Sequence, residues 1–257
     1  MRKYIFLCLF IGLGQLLQGC SMDKMSFSSG DNGTGTGGSM ARFTILGNNL
    51  YVVDQNNLRT FDISRPATPR PTATVSVGMG IETIFPYNNN LFIGSNSAMF
   101  IYNLDNPAQP KRLSVLPHIT GRGCDPVVAQ GNYAYVTLRA ATAGCGGRLT
   151  TENVMFVIDI SNLSNPRTLK VYAVSSPYGI GIRGNALFLC EGAAGLRVFD
   201  ATDPVELVQK SFLTEVKSYD VIPLPASLLV IGEDGFYQYD YTDLTKLQLL
   251  SKIPVTK

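Results

Sequence analysis

The residue types that most often carry out chemistry in proteins are scarce in this chain. His118 is the only histidine among 257 residues, so a Ser–His–acid triad would have to use it. It lies in the segment PHITGRG, residues 117–123, which has the composition of a loop, where we expect a solvated side chain. The five cysteines are dispersed, and G-x-S-x-G, H-E-x-x-H and C-x-x-C motifs are absent. We predict no catalytic residue, no metal site and no cofactor.

Two segments match the pattern G-x-G-x-x-G, at residues 33–38 and 179–184. In dinucleotide-binding proteins this pattern follows a strand and opens a helix, whose N-terminus receives the pyrophosphate. The first segment lies in a Gly- and Ser-rich stretch, and the second lies in a strand that leads into another strand. Neither segment therefore predicts a nucleotide site.

Carboxylates are the remaining candidates for chemistry. Glu82, Asp125 and Asp220 could serve as the acid, the base and a supporting carboxylate of a carbohydrate-active hydrolase. Such an enzyme needs two carboxyl groups roughly 5–9.5 Å apart across a pocket that fits a sugar ring. Whether these side chains meet depends on the architecture that positions them.

A repeated unit dominates the sequence after residue 41. An Asp or Asn ends a short apolar run in each copy, and the later copies follow Asp62 at spacings of 41, 56, 41 and 40 residues. The five positions are Asp62, Asn103, Asp159, Asp200 and Asp240. A period of about 40 residues with several short strands per unit is typical of a β-propeller. We predict an all-β, five-bladed β-propeller of four-stranded antiparallel blades.

The repeated Asp has a structural explanation. Its carboxylate can accept hydrogen bonds from nearby backbone N–H groups, and the proline that follows cannot continue a strand ladder. We therefore interpret the motif as the turn between the third and fourth strands, not as part of a calcium ring. The same slot in the fourth unit, DPVELVQK at residues 203–210, resembles a helix start, but the repeat predicts a turn followed by a strand.

The recurring Leu-x-Val-Phe/Ile-Asp core with its trailing proline resembles the LVIVD-repeat family of bacterial β-propellers, many of which are lipoproteins of Bacteroidetes-like bacteria. The resemblance covers roughly residues 42–257 in five units. The resemblance implies the fold, but the family has no assigned activity that could be carried over to this chain. The fifth unit departs from the pattern, because Pro223 and Pro225 interrupt its first strand.

In such a blade, the loop entering the first strand and the loop between the second and third strands lie on one face. The third unit carries an insertion on that face, residues 139–153. We predict a binding rim near the mouth of the central channel, made of Glu82, Arg122, Asp125, Tyr178, Tyr219 and Asp220. This rim could bind a sugar, a peptide or an ion. A merely hydrated rim is the alternative, and a purely structural envelope protein would have a rim without a pocket.

The N-terminal sequence predicts where the protein is located in the cell. Arg2 and Lys3 precede an apolar run, Tyr4 to Leu17, that is shorter than the ~20 residues of a membrane span. The run ends in LQGC, which resembles a lipoprotein signal, so residues 1–19 are predicted to be removed and Cys20 to receive acyl chains such as palmitate. An ordinary secretory peptide with an incidental cysteine is the alternative.

The predicted domains are the signal peptide 1–19, a lipidated flexible tether 20–41 and the propeller 42–257. Loss of Arg2 and Lys3 takes the formal charge from +2 to zero, so the mature chain lacks the excess positive charge that is typical of nucleic-acid-binding proteins. We expect a lipid-anchored protein of the cell envelope, in the outer membrane, facing either the periplasm or the surface. Its partner would be a protein or a carbohydrate.

Three cysteines would remain besides Cys20. Cys124 and Cys145 lie in two glycine-flanked loops of the same face and are predicted to form a disulfide, which an exported protein can keep. Cys190 ends an apolar strand and is predicted to be buried and unpaired.

Overall fold

The computed structural model describes residues 37–118, 126–140 and 152–255. These residues belong to the unit Gly33–Lys257, and the other unit of the chain, Met1–Asn32, lies outside them. They form twenty strands and no helix, in five four-stranded antiparallel sheets whose strands follow chain order. The predicted all-β, five-bladed propeller is confirmed. None of the described segments is a helix long and apolar enough to cross a membrane.

The strands of each blade are contiguous in sequence. Blade 1 contains β1 (Phe43–Leu46), β2 (Asn49–Val53), β3 (Asn57–Asp62) and β4 (Arg70–Ser76). Blade 2 contains β5 (Ile81–Tyr87), β6 (Asn90–Ser95), β7 (Ala98–Asn103) and β8 (Lys111–Pro117). Blade 3 contains β9 (Val127–Gln130), β10 (Tyr133–Leu138), β11 (Val154–Asp159) and β12 (Arg167–Ala173). Blade 4 contains β13 (Ile180–Arg183), β14 (Ala186–Cys190), β15 (Leu196–Asp200) and β16 (Val208–Leu213). Blade 5 contains β17 (Ser218–Pro223), β18 (Leu228–Gly232), β19 (Gly235–Asp240) and β20 (Gln248–Pro254).

The repeated Asp or Asn caps the turn after each third strand, as predicted. In all five blades its side-chain oxygen accepts the backbone N–H two residues later, at 2.7–2.9 Å. The hydroxyls of Ser161 and Thr202, together with these backbone bonds, favour the charged form and lower the pKa of Asp159 and Asp200 to about 2. Asp203 caps the next turn in the same way, and the strand β16 follows it instead of a helix.

The predicted irregularity of the fifth unit has little effect on pairing. Pro223 is the last residue of β17, opposite Leu228. It can lie there because β17 is the innermost strand and pairs on one side only, so a missing N–H interrupts no second ladder. Pro225 lies beyond the strand, in the turn closed by the hydrogen bond from Leu224 N–H to Ser227 O.

Four buried apolar clusters fill the four junctions between successive blades. Among the described residues, none of these clusters joins blade 5 to blade 1. The second strands also distinguish the end blades from the inner blades. The strands β6 and β14 are buried on both faces, whereas β2 and β18 alternate between buried and partly exposed residues. Phe43 and Phe236, on the uncovered faces of blades 1 and 5, are 58% and 51% exposed. The first and last blades therefore lack an apolar junction of the kind that joins the others.

Residues 38–41, which the sequence predicts as the end of the tether, contact the propeller. Ser39 is 1% exposed, and its Oγ accepts the N–H of Ile180, the first residue of β13, at 2.7 Å. The carbonyl of Ala41 accepts the N–H of Ile84 in blade 2 at 2.9 Å. Residues 38–41 thus contact blades 2 and 4 through specific hydrogen bonds, although their composition is that of a linker.

Candidate functional site

The starts of the innermost strands and the loops between second and third strands share one face of the propeller, which we call the entry face. Four predicted rim residues lie there within the described residues: Glu82 in β5, Tyr178 two residues before β13, and Tyr219 and Asp220 in β17. Arg122, Asp125, Cys124, Cys145 and Cys20 lie outside the described residues, as do residues 141–151 of the insertion. The ends of the insertion meet, because Ala140 N–H donates to Asn153 Oδ1 at 2.8 Å.

A pocket of about 90 Å³ opens on the entry face. Four blades and the segment before them build it, and its lining residues are Met40, Arg42, Glu82, Thr83, Pro126, Arg139, Pro177 and Tyr178. Glu82 and Tyr178 of the predicted rim therefore share one pocket. Tyr219 and Asp220 do not line it. Arg42 and Arg139 do, and they were not predicted.

Arg139, Tyr178 and Tyr219 form a stack beside the pocket. The guanidinium carbon of Arg139 lies 3.7 Å from the centre of the Tyr178 ring, within the range of a cation–π contact. Tyr178 in turn meets Tyr219 edge to face, with ring centres 5.1 Å apart. The N–H of Tyr178 donates to Cys190 O at 2.8 Å, and a Cβ on Gly192 would lie only 2.5 Å from the Tyr178 ring. The stack fixes a positive charge at the pocket wall.

Asp220, a predicted rim residue, binds the chain segment before blade 1. Its carboxylate accepts the N–H of Val221 at 2.9 Å, the backbone N–H groups of Ser39 and Met40, and the Ser39 hydroxyl. Burial raises the pKa of Asp220 to about 6, against the effect of these hydrogen bonds. The carboxylate thus holds residues 39 and 40 on the entry face, next to the pocket that Met40 lines.

Glycines make room for this carboxylate. A Cβ on Gly38 would lie 2.0 Å from Asp220 Oδ2, and a Cβ on Gly179 would lie 2.3 Å from Asp220 Oδ1. Gly38 ends the first G-x-G-x-x-G segment and Gly179 begins the second. Two motifs that predict no nucleotide site therefore contribute to a close approach between distant parts of the chain.

The other residues with chemical potential have structural partners. His118 is partly buried rather than solvated, with its Nε2 3.0 Å from the carbonyl oxygen of Ser95 and its ring stacked on Phe156. Cys190 is buried and unpaired as predicted, and burial raises the pKa of its thiol. The described ranges contain no group of three or more His, Cys, Asp or Glu side chains that could hold a metal ion.

One buried ion pair was not predicted. The Glu191 side chain is fully buried after β14, 2.7 Å from the guanidinium of Arg197, and it also accepts the N–H of Ser175 at 2.6 Å. Arg197 lies over the ring of Phe212 as well. A buried carboxylate needs such partners, so the pair fixes the loop between β14 and β15 on the entry face.

Comparisons with known proteins agree with this architecture. The family model of the LVIVD repeat matches residues 37–76, 121–141 and 150–174. A protein from Lactobacillus plantarum is similar in structure, with a TM-score of 0.62, 18% identity, and coverage of 80% of this chain and 67% of that chain. The periplasmic gluconolactonase PpgL of Pseudomonas aeruginosa has a TM-score of 0.62 at 13% identity, with coverage of 81% and 68%. BamB from Moraxella catarrhalis has a TM-score of 0.55 at 8% identity, with coverage of 75% and 54%.

At these identities the structural similarity concerns the fold alone, and this chain spans about two thirds or less of each of those proteins. A comparison with curated protein sequences found no match. The class of protein is a β-propeller. The chain is a five-bladed β-propeller that contains matches to the LVIVD repeat in its first and third blades.

Proposed function

We propose that this protein is a lipid-anchored binding module of the cell envelope, with its binding surface on the entry face. The observation that carries the proposal is the pocket that four blades and the preceding segment build around Arg42, Glu82, Arg139 and Tyr178. Small-molecule sites are typically concave, with mostly apolar walls and a few convergent polar groups. The LQGC sequence at residues 17–20 supports the anchor.

A hydrolytic function has less support. Glu82 is the one carboxylate that lines the pocket among the described residues, whereas a glycosidase needs two that face the substrate. Asp220, the other described candidate, accepts hydrogen bonds from Ser39 and Met40 and does not line the pocket. The similarity to a gluconolactonase is one of fold and brings no catalytic residue to this chain.

A photo-crosslinking amino acid placed on each face tests the proposal in intact cells. Met40 is 42% exposed at the pocket edge. Arg65, exposed in the turn between β3 and β4, provides the matched position on the opposite face. We expect light-dependent adducts from position 40 that the substitution Tyr178→Ala removes, and none of these adducts from position 65. Identical adducts from both positions, or none from position 40, would contradict a binding role for the entry face.

A further inference from the structure

The pocket on the entry face has a composition that selects a particular ligand group. We propose that it binds the carboxylate end of a small organic molecule or of a longer ligand that extends out of the pocket. This inference rests on the proposed binding role of the entry face. The charges, the walls and the size of the pocket support it.

The charges favour a single negative group. Arg42 and Arg139 contribute two positive charges to the lining, and Glu82 contributes one negative charge. The described part of the lining therefore carries a net positive charge, which attracts an anion. Glu82 also disfavours a ligand with two negative charges, because like charges in a partly desolvated site repel each other strongly.

Arg139 has a geometry suited to a carboxylate. Stacking on Tyr178 uses the flat face of the guanidinium. The N–H donors of a guanidinium lie in its plane, at right angles to the stacking direction, and paired donors in this plane match the two oxygens of a carboxylate. The stack also holds the side chain in place before a ligand arrives, which reduces the entropic cost of binding.

The walls favour a carboxylate over a phosphate. Phosphate sites commonly surround the anion with backbone N–H groups. Two of the loop residues that line this pocket are Pro126 and Pro177, and proline has no N–H to donate. The side chains of Met40 and Tyr178 add apolar surface. A carboxylate attached to an apolar carbon fits these walls better than an anion with oxygens on every side.

The size limits what enters. Whole ligand pockets are typically about 300–1,000 Å³, so a pocket of about 90 Å³ admits only one end of a ligand, such as a carboxylate and the carbon atoms next to it. Met40 and Arg42 are exposed at its edge, where the remainder of a longer ligand would leave the pocket.

Calorimetric titration with small probes tests the inference on the full-length protein in detergent. N-acetyl-L-alanine presents a carboxylate beside a methyl group, and N-acetyl-L-alaninamide is its neutral counterpart. We expect the amide and inorganic phosphate to bind at least tenfold more weakly than the acid. Arg42→Ala and Arg139→Ala should each weaken binding of the acid at least tenfold, whereas Arg65→Ala, which removes the same charge from the opposite face, should leave it unchanged.

Equal affinity for the acid and the amide would overturn the inference, and so would unchanged affinity in an Arg139→Ala protein. Thermal melting of each variant shows whether a loss of binding affinity is caused by unfolding of the variant. Titration with D-glucuronate and D-glucose distinguishes a sugar acid from a peptide end as the source of the carboxylate. If crosslinking at position 40 succeeds while every carboxylate probe fails, the inference is wrong and the binding role of the entry face stands.

Discussion

The carboxylate of Asp220 packs against Gly38 so closely that a Cβ on residue 38 would lie 2.0 Å from its Oδ2 atom. Asp220 lies in the innermost strand of blade 5, and Gly38 precedes blade 1. No strand is shared between these two blades in the described residues, and no buried apolar cluster joins them. The contact between residues 38–40 and Asp220 therefore ties the two ends of the propeller together.

The substitution Gly38→Ala should destabilise the protein through this contact. The three atoms nearest to the added Cβ all belong to the Asp220 carboxylate. Overpacking of this kind typically costs about 1–3 kcal/mol, which we expect to see as a lower melting temperature by circular dichroism. In an Asp220→Ala background the clash is absent, so the same substitution should cost much less.

Gly179→Ala is the matched comparison for this double-mutant cycle. Its added Cβ would also lie 2.7 Å from Asp220 Cα and 2.9 Å from the Tyr219 carbonyl oxygen, both backbone atoms. Removal of the Asp220 side chain should therefore not rescue it. Additive effects of Gly38→Ala and Asp220→Ala would refute the proposed contact.

The stability of the protein should decrease between about pH 4 and pH 6 because of Asp220. Its pKa is raised from 3.8 to about 6 in the folded state, so the unfolded chain ionises first as the pH rises. The contribution of Asp220 to stability is fully present below its pKa in the unfolded chain. It is lost as the pH rises through its pKa in the folded protein. The loss is at most about 3 kcal/mol, and partial exposure reduces it.

Melting temperatures measured across this range for the wild type and Asp220→Asn check the pH dependence. The slope between pH 4 and pH 6 should flatten in the variant. Asp200→Asn is the control, because the pKa of Asp200 is lowered in the folded state. The ionised Asp200 stabilises the fold above about pH 4, and this stabilisation is lost as the pH falls toward 2. That variant should alter the profile only at the acid end. A wild-type profile that is flat from pH 4 to pH 6 would be inconsistent with a raised pKa at Asp220.

Cys124 and Cys145 should appear as one linked species in mass spectra of unreduced tryptic peptides. The bridge would close a loop of about twenty residues and contribute about 3 kcal/mol, mainly by restricting the unfolded chain. Cys190 is the internal control, because its buried thiol should react with an alkylating reagent only after denaturation. Separate alkylated peptides for Cys124 and Cys145 would show that the bridge does not form.

The substitution Cys20→Ala should release the protein from membranes as a soluble species. Acyl chains at Cys20 are the one membrane attachment predicted by the sequence, and two or more chains anchor a protein stably. Fractionation of the envelope with and without detergent measures the change, and Cys190→Ala serves as the matched cysteine control. Retention of Cys20→Ala in the membrane fraction would point to another attachment.

The fold could be predicted because its signals are local and repeated. Asp159 and the N–H of Ser161 are two residues apart, so the turn that they form is visible in any short window of sequence. Repetition of that window at a period of about 40 residues indicated the number of blades. It also excluded the helix suggested by Asp203 and Pro204, since the repeat requires the strand β16 there.

The site was predicted less well, because its contacts join residues far apart in the chain. Ser39 and Met40 have the composition of a linker, and the carboxylate that holds them comes from the last blade. Arg139 begins a polar insertion, and nothing local indicates that it stacks on Tyr178 of the next blade. Asp220 is predicted to lie on the entry face, but its sequence neighbours do not show that its partners include the backbone groups of Ser39 and Met40.

The arrangement of the chain also sets an order of assembly. Every ladder in the described sheets joins strands that are consecutive in sequence, so each blade closes through local loops, of which the insertion 139–153 is the longest. The hydrogen bond from Ile180 to Ser39 spans 141 residues, and the entropic cost of closing a loop grows with its length. Residues 38–41 should therefore dock after the blades have formed. Because Met40 lines the pocket, ligand binding would distinguish fully assembled molecules from those in which the last step has not taken place.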